Sequence, residues 1–366
     1  MSRRRADGEP DGRRRVVFAA ALTIGLGLLL LPIALADGRE LWRTASGIHP
    51  VMLALPVLLT LLSYAAMSRS YQGIADAAEC RLAFGEWVRI TVVSNTVNYI
   101  VTSAGLSGFA VRMYLLSQRG VPSGRAVLIS LVQTFLTNFT LLFFILLGFT
   151  TLAVRHYVAG TAVVVAGAGV LLFAALLGYA VVLLYNRRLR RRTLFFIADA
   201  GHRLLRRTMP RLSPGRVRLW RFQHNLNQGL EFLLARKDRI VAPACWILLD
   251  WALTIAILWA AFRSVNYTIA PGLVVIGFAV GICLSLVSLV PGGLGVMESS
   301  MTAVFVSLSV PLEPAVLAVL IFRVAYYILP LLMSLFFFHG VMLQAAHDVA
   351  GRSRAARFDT PLPPSI

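Results

Sequence analysis

The chain has 366 residues, of which 58% are hydrophobic and only 14% are charged, and its formal net charge is +19. This polar fraction is too small to cover the surface of a soluble domain of this length, which excludes a soluble globular protein. The positive charge does not indicate nucleic acid binding, because the Arg residues lie in gaps between apolar blocks and form no single basic face with aromatic platforms.

Long apolar blocks recur along the chain, and each reaches or approaches the roughly 20 residues that cross a hydrocarbon core. They predict an all-α polytopic membrane protein with about seven long transmembrane helices. The blocks cover residues 16–36, 51–67, 126–151, 157–185, 240–262, 268–290 and 315–338.

The first apolar block follows an Arg-rich N-terminus, residues 1–15, and ends at the small residues Ala34 and Ala36. A secretory signal peptide has the same order of features. The apolar run is longer than the roughly 7 to 15 residues of a cleaved signal, so we expect it to be retained as the first transmembrane helix.

Basic residues concentrate in the N-terminus 1–15, the loop 187–239 and the C-terminal tail 345–366. Because basic residues next to membrane spans are retained in the cytoplasm, all three segments are predicted to be cytoplasmic. The loop also mixes Phe, Leu and Trp with its Arg residues. This composition is typical of an amphipathic segment that lies on an anionic leaflet, which we expect the loop to be. It separates a first membrane half, residues 16–186, from a second half, residues 240–344.

The first half contains an interrupted apolar segment near residues 87–118. The order of spans requires the chain between Arg69 and Arg125 to begin and end on the cytoplasmic side, and the two apolar limbs are too short to cross comfortably. A stretch rich in Ser, Thr and Gly separates the limbs. This pattern predicts a re-entrant helical hairpin.

Polar side chains gather around the predicted tip of this hairpin. Asn98, Ser103 and Arg112 are candidates for lining a hydrated path for a lipid head group. The same residues are equally compatible with a structural role, in which hydroxyl groups bond to their own helix and Arg112 contacts lipid phosphate at the interface without specificity.

A second interrupted segment, near residues 268–310, is predicted to begin and end on the outer side. Its first limb is long enough that two ordinary spans remain an alternative to a re-entrant hairpin. Residues 121–128 and 310–317 share Val-Pro and, at the same spacing, Ala-Val-Leu. Two similar units entering from opposite faces predict an inverted-topology repeat, in which transporter sites form near the bilayer midplane.

The break in the second hairpin is the most informative stretch of the sequence. Pro291 and three glycines disrupt a membrane helix, and Glu298 follows in about the first turn of the next limb; the glycines are Gly292, Gly293 and Gly295. Free amides at this helix start could bind an anionic head group, and Glu298 could pair with a cation. The alternative is structural, with glycines that allow close helix crossing and a glutamate that caps the helix.

Arg323 lies near the middle of the last apolar block, where a cation needs a partner or water. Glu298 is the leading candidate and Asp250 the second, so we expect a substrate-binding cluster of these three residues. A structural ion pair is the alternative, and Asp250 alone is also compatible with accepting a hydrogen bond from a neighbouring helix.

Catalytic and cofactor signatures are missing from the sequence. It shows no nucleophile constellation, no His or Cys spacing typical of a metal site, and no phosphate loop or dinucleotide fingerprint. We therefore expect no enzyme activity, no cofactor and no metal.

The segment PGGLGVME, residues 291–298, resembles the Pro-Gly-Gly-(Leu or Ile)-Gly-x-x-Glu signature of the flippase-like transmembrane domain of lysylphosphatidylglycerol synthases, a family that includes stand-alone proteins. Arg323 and the stretch from Asn98 through Gly108 to Arg112 are also similar to that family, and the resemblance covers nearly the whole chain. It implies movement of a lipid between leaflets. Since the chain ends soon after its last apolar block, it also implies no soluble aminoacyl-transfer domain.

Two function classes follow. The first is a lipid flippase or transporter in the bacterial inner membrane, with both termini cytoplasmic and with anionic or aminoacylated phospholipids as its partners. The second is a non-catalytic membrane subunit that presents a lipid-linked substrate to a partner transferase. A transferase in its own right ranks last, because the sequence offers no catalytic residues.

Overall fold

The computed structural model describes residues 10–48, 50–100, 106–154, 238–288 and 290–337, together with scattered positions between 171 and 193. All regular elements in this part of the chain are helical. Ser103, most of the block 157–185, most of the basic loop 187–239 and the tail 345–366 lie outside the described residues, as do the first nine residues.

The first half contains six helices with described bounds. A polypeptide in lipid must satisfy its backbone polar groups internally, which is why the apolar blocks become helices. The helices are α1 (Pro10–Leu35), α2 (Gly38–Ser46), α3 (Pro50–Ala77), α4 (Phe84–Ile100), α5 (Leu106–Gln118) and α6 (Ser123–Val154).

The described part of the second half contains four helices and two irregular helical segments. The helices are α7 (Asp238–Ser264), α8 (Pro271–Val287), α9 (Val296–Ser307) and α10, which begins as Leu312–Arg323 and extends to Phe337. A 3-10 turn, Pro291–Gly293, lies between α8 and α9, and a π-helical segment, Val324–Ile328, interrupts α10.

Four helices in the described part of the chain are long and apolar enough to cross a membrane: α3, the Ser123–Gly148 part of α6, α7 and α10. The block 268–290, predicted as the first limb of the second interrupted segment and long enough to leave a full span as the alternative, contributes the 17-residue α8, because Ser288 already has an extended backbone and ends the helix. At 1.5 Å per residue α8 is about 26 Å long, shorter than a typical hydrocarbon core of about 30 Å.

The helices α3 and α7 pack along each other in the centre of the molecule and join two apolar cores. One core lies among α3, α4, α5 and α6, and the other is dominated by α7 to α10. Large apolar side chains on the outer faces of the long helices remain exposed, for example Leu58, Phe143, Leu248 and Leu335. A lipid environment favours such an outer face, since hydrocarbon tails are as apolar as these side chains.

Polar contacts identify the two ends of the helix bundle. At one end, Asn266 donates a hydrogen bond to the Gly47 carbonyl at 2.8 Å, which ties the loop after α7 to the loop before α3. At the other end, Arg119 at the end of α5 forms an ion pair with Glu86 at the start of α4. The start of α4 and the end of α5 therefore lie at one end of the bundle, and the start of α8 and the end of α9 lie at the opposite end.

The inner ends of these two helix pairs meet. Gly292, in the break before α9, lies so close to the end of α4 that a Cβ atom there would be 2.6 Å from the Tyr99 carbonyl oxygen. On the opposite side, α1 packs against α9, and the Ser299 hydroxyl donates a hydrogen bond to the Leu28 carbonyl. The break in the second helix pair is thus enclosed by α4 and α1.

Candidate functional site

The break between α8 and α9 requires glycine for two physical reasons. Gly292 and Gly295 have φ angles of 60° and 77°, which residues with a side chain rarely adopt. A Cβ atom on Gly295 would also overlap the Gly25 carbonyl of α1. Gly293 shares the positive φ and packs against the Ser285 side chain. The three predicted glycines therefore form a compact turn that brings backbone groups into close contact with two other helices.

Glu298 and Arg323 form a buried ion pair across α9 and α10. Arg323 Nε lies 2.5 Å from Glu298 Oε1, and the two residues are 9% and 3% exposed. This pairing was expected from the sequence. The second carboxylate oxygen, Oε2, is buried and has no hydrogen-bond partner within the described ranges. A charge pair without full hydrogen bonding is costly in a low-dielectric interior, which makes this position unusual for a purely structural contact.

The remaining Arg323 nitrogens hold the break itself. Nη2 donates a hydrogen bond to the Gly292 carbonyl at 2.7 Å, and Nη1 lies 3.7 Å from the Met297 sulfur. The guanidinium carbon lies 3.8 Å from the centre of the Tyr327 ring, a cation–π distance. Arg323 thus links three features: the turn before α9, the carboxylate on α9 and an aromatic ring on its own helix.

An irregular stretch of α10 begins directly after Arg323. The Leu329 N–H donates to the Val324 carbonyl, five residues earlier, and Pro330 has no N–H to continue the ladder. Thr96 on α4 donates a hydrogen bond to the Pro330 carbonyl at 3.3 Å. Single π turns of this kind occur frequently at functional sites. Tyr327, whose ring lies under the Arg323 guanidinium, is part of this π turn.

Asp250 does not join the ion pair, and the predicted three-residue cluster is corrected in this respect. The Ser63 hydroxyl of α3 donates a hydrogen bond to Asp250 Oδ1 at 2.5 Å, and the Asp250 side chain is 2% exposed. Thr254, one turn along α7, lies 3.5 Å from the Ser63 hydroxyl. Asp250 therefore accepts a hydrogen bond from a neighbouring helix, which was the alternative interpretation.

A tyrosine cluster lies between Asp250 and the ion pair. Tyr99 and Tyr327 have ring centres 4.7 Å apart, and Tyr326 contacts Tyr99 and Tyr64 at 6.4 and 6.1 Å. Tyr64 directly follows Ser63 on α3. The aromatic side chains thus connect the two carboxylates through one packed group at the junction of α3, α4 and α10.

Arg112 lies in the first helix pair, on α5, and is 5% exposed. Its guanidinium carbon lies 4.5 Å from the centre of the Tyr71 ring, and Nη2 donates a long hydrogen bond of 3.4 Å to the Ser94 hydroxyl. It forms no ion pair with a carboxylate of the described residues. The alternative interpretation, a contact with lipid phosphate at the interface without specific protein contacts, does not describe this residue, since Arg112 is buried against Tyr71 and Ser94.

Asn98 lies one helical turn beyond Ser94 on α4, next to Gly108 of α5. A Cβ atom on Gly108 would be 2.7 Å from the Ser94 carbonyl and 2.8 Å from Asn98 Cβ, so the two helices are in close contact there. Asn98 Oδ1 is buried without a hydrogen-bond partner among the described residues. Asn98 and Arg112 therefore lie at the same α4–α5 interface, Asn98 beside Gly108 and Arg112 one helical turn after Gly108 on α5. Ser103 lies outside the described residues.

Sequence reasoning missed the aromatic residues that contact Arg323 and Arg112. Tyr327 is four residues after Arg323, a spacing that places two side chains on the same helix face and could have indicated the contact. Tyr71, Tyr99 and Ser63 come from other helices, and no local pattern relates them to their partners. No group of acidic, His and Cys residues suited to a metal occurs in the searched, described part of the chain.

Comparison with known proteins agrees with this architecture. Residues 18–334 match the family described as the lysylphosphatidylglycerol synthase TM region. The chain is also similar to the inner membrane protein YbhN of Escherichia coli strain K12, with 23% identity over 319 residues that cover 84% of this chain and 86% of that protein. The matched region includes both helix pairs and the Glu298–Arg323 pair. The chain therefore belongs to the lysylphosphatidylglycerol synthase transmembrane family, among membrane proteins of lipid metabolism or transport.

Proposed function

We propose that the protein moves a phospholipid or another polar-headed lipid between the leaflets of the bacterial inner membrane. The observation that carries this proposal is the buried Glu298–Arg323 pair at the junction of two broken helix pairs. Ionisable groups at such depth are costly, and they commonly mark a substrate pathway. The similarity to an inner membrane protein supports the location.

The two helix pairs act as re-entrant hairpins of an inverted-topology repeat in this proposal. Such repeats in transporters place broken helices near the bilayer midplane, where half-helix ends face the substrate. The opening of α4–α5 and α8–α9 at opposite ends of the bundle supports this assignment. By the distribution of basic residues, the N-terminus, the loop 187–239 and the tail 345–366 are cytoplasmic.

The head group passes along a polar path between the hairpins, and its acyl chains stay in the lipid. Residues of both hairpins contribute to the path. In the second half these are Gly292, Gly293, Gly295, Glu298 and Arg323, with Asp250 nearby on α7, and in the first half they are Asn98, Ser103 and Arg112. Buried polar atoms without partners at Glu298, Asn98 and Arg112 support this role, because each could bond to a head group.

Reconstitution in vesicles tests this function. Purified protein should accelerate the transfer of fluorescent phosphatidylglycerol between leaflets, measured by the fraction of label that a membrane-impermeant reductant reaches. The double variant Glu298→Gln with Arg323→Gln removes both charges, so it should fold and lose most of the acceleration. The matched control, Glu86→Gln with Arg119→Gln, removes an ion pair at the end of the first hairpin and should retain activity.

Two outcomes would contradict the proposal. One is that the wild-type protein accelerates the transfer of no tested phospholipid between leaflets, whether its head group is phosphatidylglycerol, lysylated phosphatidylglycerol or zwitterionic. This result would favour the second candidate, a non-catalytic subunit that presents a lipid-linked substrate to a transferase. The other is a double variant that transports as well as wild type, which would assign the ion pair a structural role.

A further inference from the structure

We infer that Arg112 forms a phosphate-binding site in the first hairpin, and that its ligand is the phosphate of an anionic phospholipid. This inference deepens the proposed function, since it assigns the phosphate of the head group to one hairpin. It rests on the difference between Arg112 and Arg323, the two arginines that are buried among the described residues.

The two guanidinium groups differ in charge compensation. Arg323 has a carboxylate at 2.5 Å and a carbonyl at 2.7 Å. Arg112 is as deeply buried, but its described polar contact is one hydroxyl at 3.4 Å, and its Nε has no hydrogen-bond partner in the ranges the structure describes. A buried cation without an anion is strongly destabilising, and a guanidinium cannot escape by losing its proton.

The surroundings of Arg112 suit an oxyanion. The α4 face towards α5 carries Ser94 and Asn98, and one turn earlier Thr91, whose buried hydroxyl oxygen has no partner in the described part of the chain. None of the described ion pairs includes Arg112, so no described carboxylate already occupies its guanidinium. Guanidinium groups match phosphate oxygens with two parallel hydrogen bonds.

The position of Arg112 favours a lipid over a free anion. Arg112 is six residues before the end of α5, which at 1.5 Å per residue is about 9 Å along the helix from the open end of the hairpin. Arg119, one residue past that end, is held by Glu86 and is unavailable for the same phosphate. A phospholipid that enters between the limbs could bring its phosphate to this depth with its acyl chains in the bilayer.

A binding experiment tests the inference separately from transport. Detergent-purified protein is titrated with dihexanoyl phosphatidylglycerol, with dihexanoylglycerol, which lacks phosphate, and with inorganic phosphate. Thermal unfolding and native mass spectrometry report binding. The phosphatidylglycerol should raise the unfolding temperature and the phosphate-free lipid should not. Equal protection by inorganic phosphate, in competition with the lipid, would keep the phosphate site but assign it to free phosphate.

Three variants separate a binding role from a structural one. Arg112→Gln should weaken phosphatidylglycerol binding by at least about tenfold, because a charge-assisted pair of hydrogen bonds is lost. Ser94→Asp places an internal carboxylate beside Arg112, so it should raise the unfolding temperature without ligand and also weaken lipid binding. The matched control Arg119→Gln changes an arginine on the same helical hairpin and should bind lipid as wild type does.

The inference is overturned if Arg112→Gln and Ser94→Asp both bind phosphatidylglycerol with wild-type affinity. Should Arg112→Gln fail to fold, Ser94→Asp alone decides, because it keeps the arginine and its charge. If the wild-type protein transports lipid in vesicles but Arg112→Gln does not change its affinity for phosphatidylglycerol, this inference is contradicted and the proposed function is not.

Discussion

Arg112 and Arg323 are buried to a similar extent, but their surroundings differ. Arg323 is neutralised by Glu298, and it also binds the backbone of the turn that brings this glutamate into place. Arg112 is packed on an aromatic ring and lacks a described carboxylate partner. In a low-dielectric interior an ion pair and an unpaired charge have very different free energies. The chemistry of the two positions therefore differs, although the residue type is the same.

Removing one member of the Glu298–Arg323 pair should destabilise the protein more than removing both. Arg323→Gln alone leaves a buried carboxylate unpaired and is expected to cost about 3–5 kcal/mol, whereas the double neutral variant should recover much of this loss. Thermal unfolding of the two single variants and the double variant measures the coupling. Additive effects of the single substitutions would contradict a direct ion pair in the folded protein.

Helix α1 depends on its neighbour because of a proline. Pro32 lies inside α1 and has no N–H, so the carbonyl of Leu28, four residues earlier, loses its usual partner in the helix. The Ser299 hydroxyl of α9 donates to this carbonyl. Together with the close contact of Gly25 and Gly295, this bond holds α1 against the first turns of α9, directly beside the break between α8 and α9.

Ser299→Ala should destabilise the protein by about 1 kcal/mol, because the partly buried Leu28 carbonyl loses its hydrogen bond from this serine. In a Pro32→Ala background the backbone N–H of residue 32 can bond to Leu28, so the same serine substitution should then have little effect. Ser300→Ala is the control, since Ser300 bonds to the carbonyls of its own helix. Thermal unfolding of all four variants checks this, and an equal loss in both backgrounds would refute the explanation.

At the scale of the whole molecule, the order of spans and the positions of basic residues lead to one topology. Loops predicted on the outer side lie together at one end, where Asn266 bonds to Gly47, and residues predicted on the inner side lie at the other, where Arg119 pairs with Glu86. The grouping of loops agrees with the predicted order of spans. The distribution of basic residues predicts that the end with Arg119 and Glu86 faces the cytoplasm.

Cysteine labelling measures this orientation. Cys80, Cys245 and Cys283 are free thiols and would first be replaced by Ala. A cysteine at Trp42, a 76% exposed position on α2, should react with an impermeant maleimide added outside intact spheroplasts. A cysteine at Gln118, at the opposite end of the bundle, should react only after the membrane is opened. The reverse pattern would invert the assigned topology.

The sequence alone determined that this is a helical membrane protein with two interrupted segments, and it identified Gly292, Glu298 and Arg323 as residues of interest. Long apolar blocks, helix breakers and charges within such blocks are local features with a strong physical cost in lipid, so they can be recognised along the chain. The block 268–290 is longer than the helix it forms, because the apolar run continues past the helix end at Val287, and this length left the alternative of a full span open.

Only the tertiary structure decided which charges meet. Asp250 pairs with Ser63 because α3 and α7 pack along each other, and Arg112 remains without a described carboxylate because its neighbours on α3 and α4 are Tyr71 and Ser94. These contacts join residues from separate helices, and their geometry depends on how whole helices pack. The cost of a buried charge can be read from the sequence, but the group that compensates it is chosen by the packing of the bundle.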